Sequence, residues 1–190
     1  MTAVSRSAST GKSPSAKAEE RMLRKMTPRR AALTALSPRQ RKAERFGEFV
    51  HRVHGATPGE WVEIERQGIP GTIVKDLARQ MNLPATRFYV ILGLPKATVE
   101  KKASQGEQIS GAGGFAALGV VKLLGRVQEL IADSTAPGTE EFDAGKWFGE
   151  WIERPQPALG GKRPADLLDT PTGFNMVNGL LGAIRSGAYL

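Results

Sequence analysis

The sequence predicts an all-α fold on three observations. Apolar side chains recur three and four residues apart along most of the chain, the period of a helix with one buried face. No alternation of apolar and polar residues lasts long enough to build a strand. Gly and Pro, 22 and 12 of the 190 residues, fall between the periodic runs, so the helices should be short and tightly connected. A hydrophobic fraction of 40% supports a modest core, and the length accommodates one large or two small domains.

Residues 1–20 are rich in Ser, Thr, Ala and Lys and have almost nothing to bury, so they are expected to be disordered. The basic stretch Met22–Arg30 is interrupted by Pro28. Ser37-Pro38 offers an N-cap with proline at the first helical position. Behind it Phe46, Phe49, Val50 and Val53 share one face of a helix that Gly55 ends, while Arg39, Arg41, Lys42, Arg45 and Arg52 take the other. Pro58–Arg66 reads as a short helix stopped by Gly68. Ile73, Val74, Leu77 and Met81 line a second, ended by Asn82 and Pro84. Phe88, Val90, Ile91 and Leu92 mark a third, closed by Gly93. A polar, basic helix follows Pro95 and runs to Gly106.

Phe115, Leu118, Val121, Leu124, Val127 and Ile131 then form the stripe of a longer helix over residues 115–132. The preceding Ser110-Gly-Ala-Gly-Gly114 is too rich in glycine for a stable helical turn and reads as a flexible connection. Thr135-Ala-Pro-Gly138 is a turn and a subdomain boundary. Asp143 caps a helix with Trp147, Phe148, Trp151 and Ile152, where tryptophans four apart indicate packing. Pro155 and Pro157 impose an extended stretch, and Gly160-Gly161 a turn with unusual backbone angles. Pro164 opens a short helix through Leu167 and Leu168. Thr170-Pro171 caps the last helix, with Phe174, Val177, Leu180, Leu181 and Ile184 on one face and Gly187 as its stop. The organisation is therefore a basic extension (1–55), a helix-turn-helix domain (56–134) and a small helical C-terminal domain (135–190).

Charge is concentrated at one end. Residues 1–55 carry 13 Lys/Arg against 4 Asp/Glu, a net of +9, whereas residues 56–190 carry 14 against 15, a net of −1, giving +8 overall. A segment this basic is drawn to polyanions, nucleic acid above all. The absence of cysteine excludes disulfides and thiolate metal sites and suits a reducing cytosol. No apolar run approaches the roughly 20 residues of a membrane span. Arg6 and Lys12 have no apolar stretch behind them, so no secretory signal is expected. The protein is expected in the cytoplasm.

No grouping of residues suits catalysis. The only histidines, His51 and His54, lie in the basic region as polar-face residues rather than as a metal pair or a member of a Ser-His-Asp set. Glu140-Glu141 reads as charge near a helix start. Gly111–Gly114 has neither a strand before it nor Gly-Lys-Ser/Thr after it, as a phosphate loop would. Thr86–Lys102, by contrast, reads as a helix-turn-helix. An apolar helix leads to Gly93, and the second helix, pinned by Val99, presents Lys96, Thr98, Lys101 and Lys102 to DNA. Tyr89 stands where such motifs keep a small residue, and Glu100 should repel phosphate unless it reads a cytosine amino group. Pro155-x-Pro157-x-Leu159-Gly160-Gly161 is a rigid connector that can double as an edge for a partner, since rigidity before binding lowers the entropic cost of association.

Three segments, Phe142–Trp147, Glu153-Arg-Pro-Gln-Pro-Ala-Leu-Gly-Gly-Lys-Arg-Pro-Ala-Asp-Leu-Leu-Asp169 and Ser186-Gly-Ala-Tyr189, resemble the toxin-binding domain of Xre/MbcA/ParS-type antitoxins. These are partners of RES-domain toxins in bacterial type II toxin–antitoxin systems. The helix-turn-helix upstream sits where that family keeps its Xre-like DNA-binding domain, and the resemblance spans roughly residues 60–190. It implies a homodimeric antitoxin that covers the active site of an NAD-consuming toxin and binds double-stranded operator DNA as a transcriptional autoregulator. It implies no cofactor and no catalysis by this chain. Carried over residue by residue, the toxin-facing set is Trp151, Arg154, Pro157, Leu159, Gly160, Gly161, Arg185, Gly187 and Tyr189. Trp147, Leu167, Leu168 and Leu181 match the pattern as core. Ala97 and Glu100 stand where relatives are richer in arginine, and Gly111–Gly114 where relatives are polar. A DNA-binding regulator or localisation factor without a toxin is the rival expectation, and a small enzyme the remote one.

Overall fold

The computed structural model describes residues 37–134 and 142–185. The readings made on residues 1–36, on the turn at 135–138, on Glu140-Glu141 and on the tail from 186 onward lie outside these. The chain divides into two units, Met1–Arg45 and Phe46–Leu190. The division falls inside the first helix rather than at residue 55, and residues 56–134 and 135–190 share one unit.

Among the described residues the architecture is helical apart from one two-stranded ribbon, as an all-α fold requires. Helix α1 (Pro38–His54) starts at Ser37, whose hydroxyl accepts from the Gln40 amide at 3.3 Å while the Gln40 side chain accepts from the Ser37 amide at 2.9 Å. Its end, Phe46, Phe49, Val50 and Val53, is buried, Val50 and Val53 completely. That stripe is why the unit boundary falls where it does: a helix with such a face belongs with the core it covers. α2 (Pro58–Gln67) begins with a full capping box between Thr57 and Glu60. The Thr57 amide and hydroxyl hold the Glu60 carboxyl below its usual range. Gly68, at φ 79°, ends the helix.

The ribbon pairs β1 (Ile69–Pro70) with β2 (Gln108–Ile109) antiparallel, Ile69 opposite Ile109. Two residues per strand leave no alternation to read, so the sequence conceals it. Between the strands lie α3 (Gly71–Gln80), α4 (Ala85–Ile91) and α5 (Lys96–Gln105). Asn82, at φ 52°, closes α3, and Gly106, left-handed at φ 68°, closes α5.

α6 (Gly111–Ala132) starts at Gly111 rather than near residue 115. The glycines serve close approach, not flexibility. A Cβ on Gly113 would collide with the Leu94 side chain, and one on Gly114 with the Ile109 carbonyl. Tertiary packing here outweighs the poor helix propensity of glycine. Val90 is 68% exposed, not part of the core, while its neighbours Phe88 and Tyr89 are buried at 0% and 1%.

α7 (Ala144–Ile152) is capped by the Asp143 carboxylate, which accepts from the Lys146 amide at 2.9 Å. Gly145 and Gly149 lie against the last carbonyls of α3: a Cβ on Gly145 would come within 2.6 Å of the Gln80 oxygen, and one on Gly149 would overlap that of Met81. Two 3-10 turns follow, Pro157–Leu159 and Pro164–Asp166. The second is a single turn that ends before Leu167, shorter than the helix expected there. α8 (Pro171–Arg185) packs along α6, its Phe174 ring edge-on to Phe115 at 6.1 Å. No described helix is long and apolar enough to cross a membrane.

Candidate functional site

The chain between α7 and α8 is a locked knuckle. The Gln156 amide donates to the Lys162 carbonyl at 3.0 Å, the Gly161 amide to the Gln156 carbonyl at 3.1 Å, and the Leu159 amide to the same carbonyl at 2.9 Å. Gly160 at φ 64° and Gly161 at φ 78° take the left-handed conformations that reverse the chain. Nothing lies within 4 Å of where a Cβ would sit on either. Backbone angle, not crowding, therefore demands glycine, and the tip faces open space. The Gln156 side chain, 8% exposed, donates from Nε2 to the Arg154 carbonyl at 3.1 Å and lies 3.5 Å from that of Trp151. It closes the C-terminal end of α7 and fixes where the knuckle leaves it.

The expected toxin-facing residues separate into two layers. Arg154, Pro157, Gly160 and Gly161 are exposed on the knuckle. Trp151 and Leu159, each 7% exposed, are turned inward beneath it. Their expected outward placement is corrected: apolar side chains this large anchor a short loop that has little other core of its own. Arg154 pairs with Glu150 at 3.0 Å, one turn earlier. Arg185 ends α8, and its side chain is not among those described; Gly187 and Tyr189 lie beyond.

Both flanks of the knuckle enter an ion cluster that sequence reading missed. Arg87 of α4 grips Glu153 with two hydrogen bonds, 2.7 and 3.0 Å. Arg163 reaches Glu153 at 3.4 Å and grips Asp166 at 2.7 and 2.9 Å. The Glu153 hydrogen bond raises the Arg87 pKa, and the Arg163 guanidinium holds the Asp166 carboxyl below its ordinary range. The Arg163–Asp166 pair is legible as an i,i+3 spacing. Arg87 and Glu153, 66 residues apart, leave no sequence signal.

A second exposed set lies on α5. Lys96, Thr98 and Lys101 face solvent, and Lys102, less exposed, is engaged by Glu107 at 2.6 Å. Val99, fully buried, pins the helix. Glu100 is not the unscreened charge that sequence implied. Lys75 pairs with it at 2.7 Å, and the Tyr89 hydroxyl donates to it at 3.3 Å. Lys75 lowers the Glu100 pKa; burial, then the Glu100 carboxylate, raises that of Tyr89. Tyr89 thus fits a position expected to want a small residue because its hydroxyl has a partner at the surface.

His51 is exposed, but His54 is not a simple polar-face residue. It packs against Gly125 of α6, with Nε2 3.3 Å from Glu129. A cavity of about 640 Å³ between α1 and α2 is lined by Phe49, His51, Arg52, Glu60, Glu63 and Ile64 among others. No group of three or more potential metal-ligating side chains occurs among the described residues.

Residues 138–187, which hold α7, the knuckle and α8, match the family described as antitoxin Xre/MbcA/ParS C-terminal toxin-binding domain. A protein of Sphingobium sp. (strain YBL2), described as "Prs ADP-ribosylating antitoxin", is 31% identical over 160 residues, 83% of this chain and 99% of the relative. The molecule is thus of the class of toxin-neutralising antitoxins, with a cognate toxin as its partner. Within that class, the chain belongs to the Xre/MbcA/ParS family.

Proposed function

We propose that this antitoxin neutralises a RES-type, NAD-consuming toxin of a type II system by seating the knuckle and the end of α8 over the toxin's active site. The observation that carries the reading is the knuckle: a backbone-locked, glycine-tipped projection inside the stretch that matches a toxin-binding domain. A preformed projection loses little entropy on docking. The relative's description refers to ADP-ribosylation, a chemistry that consumes NAD, which supports the choice of toxin. Pro157, Gly160, Gly161 and Arg154 are the contact layer of the knuckle, Trp151 and Leu159 its support, and Arg185, Gly187 and Tyr189 the tail that completes the surface. The antitoxin acts without cofactor or catalysis of its own, in the bacterial cytoplasm, as a homodimer.

A second activity is supported by the exposed α5. α4 and α5 form a helix-turn-helix that binds double-stranded operator DNA and represses the antitoxin's own operon, through Lys96, Thr98 and Lys101, with Lys102 partly committed to Glu107. The deciding experiment co-expresses the chain with its RES-domain toxin in growth-arrested cells and purifies the pair. Restored growth and a stable complex are expected. Continued arrest with well-expressed, folded antitoxin would favour the rival reading, a DNA-binding regulator with no toxin to neutralise.

A further inference from the structure

With Trp151 and Leu159 turned inward, the exposed knuckle has no large apolar side chain to anchor a partner. Protein interfaces draw most of their energy from a few such anchors, aromatic ones in particular. The large hydrophobic side chains exposed among the described residues are Val62, Val90, Phe142 and Met176. Val62 and Val90 lie outside the matched stretch 138–187, so Phe142 and Met176 are the candidates inside it. Phe142, 40% exposed, does not stand alone. Its ring centroid is 6.2 Å from that of half-buried Trp147, which stacks on Trp151 at 5.9 Å and 16°. Trp151 in turn lies under the knuckle, its carbonyl facing the Gln156 amide. A ladder of rings therefore runs from solvent to the base of the projection.

Local structure explains part of this. Phe142 precedes the N-cap Asp143, and Trp147 is the fourth helical residue, so the pair forms a hydrophobic staple that sets how the chain enters α7. A staple needs two apolar side chains in contact. It does not need a flat ring left two-fifths exposed.

We propose that Phe142 and the exposed part of half-buried Trp147 form an aromatic shelf that anchors the toxin, holding an aliphatic or guanidinium side chain against the rings. The inference rests on the toxin-binding reading and extends its contact surface from the knuckle to the start of α7. Aromatic anchors suit this task because they present large area with few torsions to freeze.

The test is isothermal titration of full-length antitoxin variants with catalytically disabled RES-domain toxin, alongside thermal unfolding of each variant. Phe142→Leu keeps an apolar staple against Trp147 and removes the ring. It should unfold like the wild type yet bind on the order of tenfold more weakly. Phe142→Ala should bind more weakly still, and Met176→Ala within about twofold of wild type. Wild-type affinity in Phe142→Leu would reduce Phe142 to a staple and overturn the shelf. Loss at Met176 with none at Phe142 would overturn it too, moving the anchor to α8. If the wild-type chain fails to bind the toxin while the fold is intact, the toxin-binding reading falls and the shelf with it.

Discussion

Gly160 and Gly161 separate two roles that a loop residue usually mixes. Each holds a left-handed backbone, and each has open space where a Cβ would go. Gly160→Ala should therefore cost only the conformational penalty, about 1 kcal/mol, seen as a melting shift of about 2–5 °C. If the tip enters the toxin cleft, the added methyl should weaken binding by more than that penalty accounts for. Equal losses in stability and affinity would place the tip outside the interface. Asp166 makes a different prediction. Arg163 depresses its folded pKa, so its contribution to stability is full above the ordinary aspartate range and is lost as pH falls through the depressed value. Asp166→Asn should be less stable than wild type near neutrality and lose less on acidification, as unfolding midpoints measured across acid pH would show.

At the scale of elements, α5 and the Arg87–Glu153 contact carry the expectations. Lys101 is exposed, whereas Lys102 is occupied by Glu107. Lys101→Glu should therefore weaken operator retardation more than Lys102→Glu, with toxin neutralisation unchanged in both; the reverse order would move the DNA surface. Arg87 fastens α4 to the end of α7. Arg87→Met should lower stability by about 1–2 kcal/mol, and a double-mutant cycle with Glu153→Gln should show strong coupling, since the two share one pair of hydrogen bonds. Additive losses would deny them a common role. Local rules made much of this legible. The caps at Ser37 and Asp143 and the stops at Gly68, Gly93 and Gly106 needed only neighbouring residues. Where the deciding neighbour was remote, sequence misled or fell silent. Gly113 and Gly114 look like loop because Leu94 and Ile109 are what they pack against. Glu100 looks repulsive because Lys75 is 25 residues away. The knuckle was legible through its prolines and glycines, and the spacing of Trp147 and Trp151 already indicated packing; the inward turn of Leu159 was not legible, since an apolar residue in a partner-binding motif can serve either layer.

For the whole molecule, the position of the unit boundary has consequences for truncation. Removing residues 1–36 spares α1 and leaves the buried Phe46, Phe49, Val50 and Val53 in place. Any difference in unfolding between this remainder and the full chain measures what residues 1–36 contribute. The salt dependence of DNA binding should flatten if the lost basic residues meet phosphates. Removing residues 1–55 strips four core side chains, each stabilising by about 1.5–3 kcal/mol, and should lower the melting temperature sharply. Thermal scans of the two truncations, with filter binding at several salt concentrations, check both statements.

The seat of α7 on the end of α3 bears on how such antitoxins could be recombined. With Gly145 and Gly149 pressed against the Gln80 and Met81 carbonyls, no larger residue fits at either place without prising the two helices apart. A chimera that borrows toxin specificity from a cousin must bring both glycines along, or take its crossover upstream of α3. A splice between α6 and α7 is thus poorly placed: what must match across it is the fit of two surfaces that touch backbone to backbone.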